Sequence, residues 1–307
     1  MRLRTTHTTQ YRYPAPVTES HNELRLMPLS DKDQTCLDFH LSVTPSVRTF
    51  AYDLPTGRVH QFNIRAPHRE LVVKAESLVI TNHHNPFAEI LLHVEDSGFY
   101  LREGVRQRFF DYLAPTERVP LTTEVNRETD RIAALAKKQA SVRNTGSFLI
   151  ALTRLLHHAF VYAPGSTHVN TPLHHVLEHK QGVCQDFAHL MLAICRRQGI
   201  PARYVSGYLC TGARPDASTS EAWQETLDLS LVPQTPISGD AMHAWVECLL
   251  PTGQWKGFDP TNNLLTNDAY IKVHYGRDYG DVPPLRGMYH GPAGSLEVSV
   301  KVVAERN

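Results

Sequence analysis

The sequence predicts an α+β fold in two parts: a β-sandwich-like N-terminal domain over residues 1–110 and a mixed helix-and-sheet core over residues 111–307. Three observations predict it. Apolar residues alternate in short runs up to about residue 110. The apolar period lengthens to that of helices beyond about residue 105. Strand-like runs then return from residue 203 onward. A chain of 307 residues is long enough to bury a core and sits near the size at which chains begin to divide into domains.

The early strands come first. In "HNELRLMP", Leu24 and Leu26 fall on one side, and "CLDFHLSVTP" alternates Leu37, Phe39, Leu41 and Val43. "RTFAYDLPTGRVHQFNI" reads as a hairpin around a Pro-Thr-Gly turn, and "ELVVKAESLVI" is a further β-rich run. Helices follow in "REGVRQRFFDYL" and "NRETDRIAALAKKQA". In "GSFLIALTRLLHHAF" the residues Phe148, Leu149, Leu152, Leu155, Leu156 and Phe160 keep helical spacing. Two more helices are expected at about 172–180 and 184–198. "RYVSGYLC", "HAWVECLLP" and "SLEVSVKVVAE" read as strands. Residues 211–240, rich in Ser, Thr, Pro, Asp and Gly, read as a long loop or insertion.

Composition sets the outer bounds. Lys plus Arg total 31 and Asp plus Glu total 31, so no net field favours nucleic acid or an anionic membrane. The first residues, MRLRTTHTTQYRY, carry no apolar signal-like stretch, and no run approaches a membrane span. Five scattered cysteines (Cys36, Cys184, Cys195, Cys210, Cys248) form no C-x-x-C pair. Reduced thiols in a cytoplasm are the expectation.

The helix expected from Cys184 is the sharpest feature. Cys184, Phe187, Ala188, Met191, Leu192 and Cys195 form one apolar stripe. Arg196 and Arg197 suit its last turn, and Gly199 and Pro201 stop it. Cys184 therefore faces inward at the first turn, beside unpaired N–H groups and the positive end of the helix dipole. That position lowers a thiol's pKa and offers N–H groups to a developing oxyanion. Gly182 leaves room for a tight turn and for a substrate. On the helix alone, Cys184 is equally a small buried hydrophobe. Cys36, Cys195, Cys210 and Cys248 read as core.

A nucleophilic thiol needs a base, and the base needs an orienter. Among 18 histidines, His243 is selected because it opens the strand-like "HAWVECLL". Asp259, in "WKGFDPTNN", could accept a hydrogen bond from its imidazole across two adjacent strands, with Asp240 the next candidate. Each has a plain alternative: a histidine satisfied at a sheet edge, and a turn aspartate before Pro260.

Together "GVCQDFAHLMLAICRRQGIPARYVSGY", "DAMHAWVECLL" and "GFDPTNN" resemble the three blocks of the transglutaminase-like superfamily in its bacterial branch. "YRYPAPVTESHNELRLMPL" resembles the β-rich region that precedes the core there. The resemblance implies a papain-like core, with a cysteine at a helix N-terminus packed on an antiparallel sheet. It implies Cys184 as nucleophile, His243 as acid and base, and Asp259 as orienter. The implied chemistry is acyl transfer from an amide through a thioester. Peptide or amide hydrolysis is preferred, and the alternatives are true transglutamination or a silent binding protein on the same fold. The implied partner is a peptide or protein substrate. No cofactor, nucleic acid or membrane is implied, and a homo-oligomer is left open. Two positions depart from the family, Met242 where a hydroxyl residue is frequent and Gln185 in place of the tryptophan of animal enzymes, and no D-x-D-x-D-G calcium loop is written. A second class, a metal site from His175 and His179 with His168 and His174 nearby, is weighed lower, since no H-E-x-x-H pattern supports it.

Overall fold

Strand β1 (Arg2–Leu24) organises the N-terminal half of the chain. The computed structural model describes residues 1–82, 90, 98–140, 144–211 and 242–305. After β1 come β2 (Gln34–Thr44), β3 (Phe50–Leu54), β4 (Gly57–Ile64) and β5 (His68–Thr81). The helices are α1 (Glu103–Arg108), α2 (Thr123–Gln139), α3 (Thr145–Ala159), α4 (Leu173–His179) and α5 (Cys184–Arg197). Two short strands, β6 (Val161–Tyr162) and β7 (Gln181–Gly182), pair in parallel among them. Then come β8 (Ala202–Leu209), β9 (His243–Leu249), β10 (Trp255–Asp259), β11 (Leu264–Leu265), β12 (Tyr270–Gly276), β13 (Leu285–His290) and β14 (Ser295–Ala304).

β1 serves two layers. Its first half, Arg2 to Arg12, pairs with β5 and β14, and its last residues pair with β4 and β13. The register shifts between Arg12 and Val17, where Pro14 and Pro16 lack the N–H that a ladder needs. One strand thus turns the corner of a sandwich, with β2-β5-β1-β14 as one layer and β3-β4-β1-β13 as the other. The sequence division at about residue 110 put residues 285–304 with the core. Their hydrogen bonds put them with the sandwich, because β13 and β14 are strands of β1.

The second sheet is antiparallel throughout, in the order β11-β10-β9-β8-β12. One face carries α5, which packs on β8 and β9 and is backed by α2, α3 and α4. The other face receives the sandwich, where Leu3, Val79 and Val300 meet Tyr208, Ile271 and Val273. A polar clasp closes this junction. Gln34 bonds both the carbonyl and the N–H of Lys272, whose ammonium reaches Asp31 at 2.8 Å and Glu247 at 2.6 Å. Burial alone would push the Glu247 carboxyl up, yet Lys272 and Arg203 hold it down at about 2.

α5 was expected to bury one stripe. It is buried nearly all round, including Gln185, Asp186, His189 and Arg196. Each of these polar residues has a partner: the Tyr279 N–H donates to His189 Nε2 at 3.2 Å, and Arg196 donates to the carbonyls of Ala114, Ala202 and Arg277. A helix held at the centre of its domain is a rigid mount for whatever stands at its mouth. The loop expected at 211–240 lies, apart from residue 211, outside the described residues, as does Asp240.

Candidate active site

The first turn of α5 is built around Asp186 rather than around a capping hydroxyl. Val183 holds the N-cap position with extended backbone, at φ −111° and ψ 179°. The Asp186 carboxylate, at N3, accepts the Val183 N–H at 2.8 Å and the Thr167 hydroxyl at 2.6 Å. This is the reciprocal half of a capping box. Burial pushes the Asp186 carboxyl up, against the downward pull of those two hydrogen bonds. Gly182 makes room for it: a Cβ at 182 would stand 2.7 Å from Asp186 Oδ2. The glycine read as space for a substrate is therefore space for the helix's own cap.

Cys184 is the first residue of α5 and is half-buried, packed at the rim of the helical core. Its thiol lies within interaction range of the His243 imidazole and helps to raise it. His243 opens β9 opposite Gly207 of β8 and is 1% exposed. Gly207 has a steric reason to be glycine, since a Cβ there would meet the Trp245 ring at 2.5 Å. The imidazole uses Nε2 to donate to Asp259 Oδ2 at 2.7 Å, which leaves Nδ1 for the thiol. Asp259 ends β10, and the pairing of Phe258 with Val246 sets it diagonal to His243 on the neighbouring strand. Helix mouth and two strand ends thus bring Cys184, His243 and Asp259 together.

Asp259 is fully buried and accepts five hydrogen bonds. Oδ2 takes His243, the Asn262 amide at 2.8 Å and the Tyr270 hydroxyl at 2.7 Å. Oδ1 takes the backbone N–H groups of Thr261 at 2.9 Å and Asn262 at 3.1 Å. It is a turn aspartate and a histidine partner at once, so the two alternatives weighed on the sequence are both realised. Burial raises its carboxyl, but the charge and hydrogen bond of His243, then Asn262 and Tyr270, bring the net shift below the ordinary value. For His243 burial opposes the charge, yet Asp259 and then Cys184 push the imidazole up to about 10. His243 and Asp259 are shut away from water, while Cys184 beside them stays half-buried.

Three supporting residues escaped sequence reasoning. Tyr270 lies on β12, where Ile271, Val273 and Tyr275 alternate with Lys272 and His274, a period-two signal that was readable. Asn262 stands in the "GFDPTNN" run, whose Asx-type turn was a readable signal. His157, on α3, donates Nδ1–H to the Thr261 carbonyl at 2.8 Å and pins the same turn. Met242, in place of a hydroxyl residue, packs against the sandwich core and hands the site no hydrogen bond through its side chain. His175 and His179 stack at 4.0 Å on α4, and His179 donates to the His175 carbonyl at 3.0 Å. Among the described residues no group of three His, Cys, Asp or Glu converges as metal ligands.

Exposure separates three buried thiols from Cys36 and Cys184, which are both partly exposed. Cys195 and Cys248 touch at 3.6 Å and are fully buried, as is Cys210 nearly so. Burial pushes the Cys36 thiol up. Brief iodoacetamide treatment at neutral pH is therefore expected to label Cys184 first, with its peptide carrying most of the early adduct in a digest. Dominant labelling of Cys36 would contradict the arrangement.

Comparison with known proteins gives the family. The model of the transglutaminase-like superfamily matches residues 125–260, a span that includes Cys184, His243 and Asp259. The model of the bacterial transglutaminase-like N-terminal region matches residues 3–80. The chain belongs to the transglutaminase-like superfamily. An uncharacterized protein of Mycobacterium leprae is 36% identical over 303 residues, which is 98% of each chain. An uncharacterized protein of Mycobacterium tuberculosis is 32% identical over 315 residues, 98% of this chain and 92% of that one. A crystal structure of a candidate cysteine protease from Cytophaga hutchinsonii covers all of this chain and 92% of its own, with a TM-score of 0.67 at 21% identity, a likeness of fold.

Proposed function

We propose that the protein is a thiol-dependent acyl-transfer enzyme that hydrolyses amide bonds of a peptide or protein through a thioester on Cys184. The observation that carries this reading is the His243–Asp259 pair, hydrogen-bonded at 2.7 Å, set beside the Cys184 thiol at the head of α5. The Cys184 sulfur, as thiolate, attacks the carbonyl carbon. The oxygen that becomes negative is met by the Cys184 N–H, at a helix position where the helix itself offers no acceptor. His243 gives its proton to the departing amine. The neutral imidazole then takes a proton from water, which attacks the thioester and releases the acid. Asp259 keeps Nε2 protonated and stabilises the imidazolium, without itself taking the proton.

Water rather than an amine is the proposed acceptor. The sequence writes no D-x-D-x-D-G calcium loop, and the Cytophaga hutchinsonii protein of the same fold is described as a candidate cysteine protease. The test offers glutamine-containing peptides with and without a primary amine and follows acid and amide products by mass. Acid as the main product in both conditions supports hydrolysis. Predominant amine incorporation would convert the assignment to transglutamination, and no turnover of any amide would remove it.

A further inference from the structure

β14 is an outer strand of the sandwich. It bonds β1 over ten consecutive rungs, from Leu3 with Ala304 to Arg12 with Ser295, without a register shift. Among the described residues no other strand pairs with it. Its side chains are exposed apart from Val300 and Val302, with Leu296 at 55%, Val298 at 41% and Val303 at 44%. A long, regular edge strand of this kind is a template for another strand. The opposite edge of the same layer is blunted, because β2 carries a register shift between Cys36 and Asp38. β14 has neither a bulge nor a proline.

The sequence of β14, SLEVSVKVVA, is complementary to itself. An antiparallel copy centred on Ser299 sets Glu297 opposite Lys301 of the partner subunit, and the two-fold axis repeats that pair. The same register sets Val298 opposite Val300 and Leu296 opposite Val302, each apolar on apolar. Sliding either strand by one or two residues places both charges opposite Val, Leu or Ser. Only the register centred on Ser299 pairs them.

We propose that β14 is a homodimer interface, in which two chains join their sandwich layers edge to edge about a two-fold axis at Ser299. The contact is isologous and closes on itself, so it yields a dimer rather than a filament. It also gives the two half-exposed apolar residues Leu296 and Val298 a covered neighbour in the paired strand.

The test is sedimentation velocity of the full chain across the micromolar range. The wild-type protein is expected to dimerise. Lys301→Glu places carboxylate opposite carboxylate in two pairs at once, and the dimer should weaken on the order of tenfold or more. The double variant Glu297→Lys with Lys301→Glu restores opposite charges in the same register and should restore the dimer. Both substitutions lie on exposed positions, and a circular dichroism spectrum checks that each variant is folded. A wild-type chain that stays monomeric at every concentration overturns the proposal. So does a dimer indifferent to Lys301→Glu, or one that the double exchange fails to restore.

Discussion

Exchanging Cys184 for alanine is expected to abolish amide turnover, by a factor on the order of 10⁶ by analogy with removal of the nucleophile in other triad enzymes. The protein should stay folded. Cys184 is half-buried at the rim of the helical core, and alanine keeps its Cβ and its place at the head of α5. The lost packing is worth about 1 kcal/mol, or a fall in melting temperature of about 2–4 °C. The pairing of total inactivity with near-native stability is the informative result. Retained turnover in Cys184→Ala would reject the proposed chemistry outright.

Asp259→Asn is expected to cost on the order of 10²–10⁴-fold in turnover, as loss of the carboxylate does in other triads, and to leave substrate binding little changed. The reason lies in the five donors that converge on this carboxylate. An amide has one acceptor oxygen. Whichever way it turns, its NH2 group faces donors: His243, Asn262 and Tyr270 on one side, or two backbone N–H groups on the other. A donor–donor clash in a fully buried turn should also destabilise the fold by about 1–3 kcal/mol. That loss depends on pH. The His243 imidazole is raised from 6.5 to about 10 in the folded chain, so its contribution is complete below about 6.5 and fades as pH climbs through 10. The Asp259 carboxyl is lowered from 3.8, so its contribution is present above that value and fades as pH falls through the lower folded value. The two shifts describe one ion pair and count once. The gap in melting temperature between wild type and Asp259→Asn should be widest near pH 5–6, above the free Asp value and below that of free His, and should narrow toward pH 10. A gap independent of pH would mean that the residue acts only as a turn former.

The three residues at the centre of the site were legible because each sits at a punctuated place in the sequence. Cys184 stands two residues after a glycine at the head of a stripe, His243 opens a strand, and Asp259 ends one before a proline. The helix at 184–197 and the strands at 202–209 and 243–249 were readable from period and stop signals alone. The rest depended on contacts distant in sequence. β12 alternates in the manner of a half-exposed strand, but its polar face is buried, because Lys272 meets Asp31 from the segment before β2 and Glu247 from β9. Nothing local announces that the chain's end returns to β1, since a strand's partner is set by topology and not by its own composition. The β1 corner likewise has no local announcement, since its two prolines only remove ladder donors where one long strand changes layer.

The most direct measurement of the central claim is the intact mass of the protein mixed with a peptide and glutamine-amide library and quenched in acid within a turnover. The account predicts an acyl adduct on Cys184 that maps to the peptide at the head of α5, decays with time in water, accumulates in Asp259→Asn if deacylation is slowed, and is missing from Cys184→Ala. An unmodified Cys184 under conditions in which amide is being consumed, or an adduct that persists in Cys184→Ala, would contradict it.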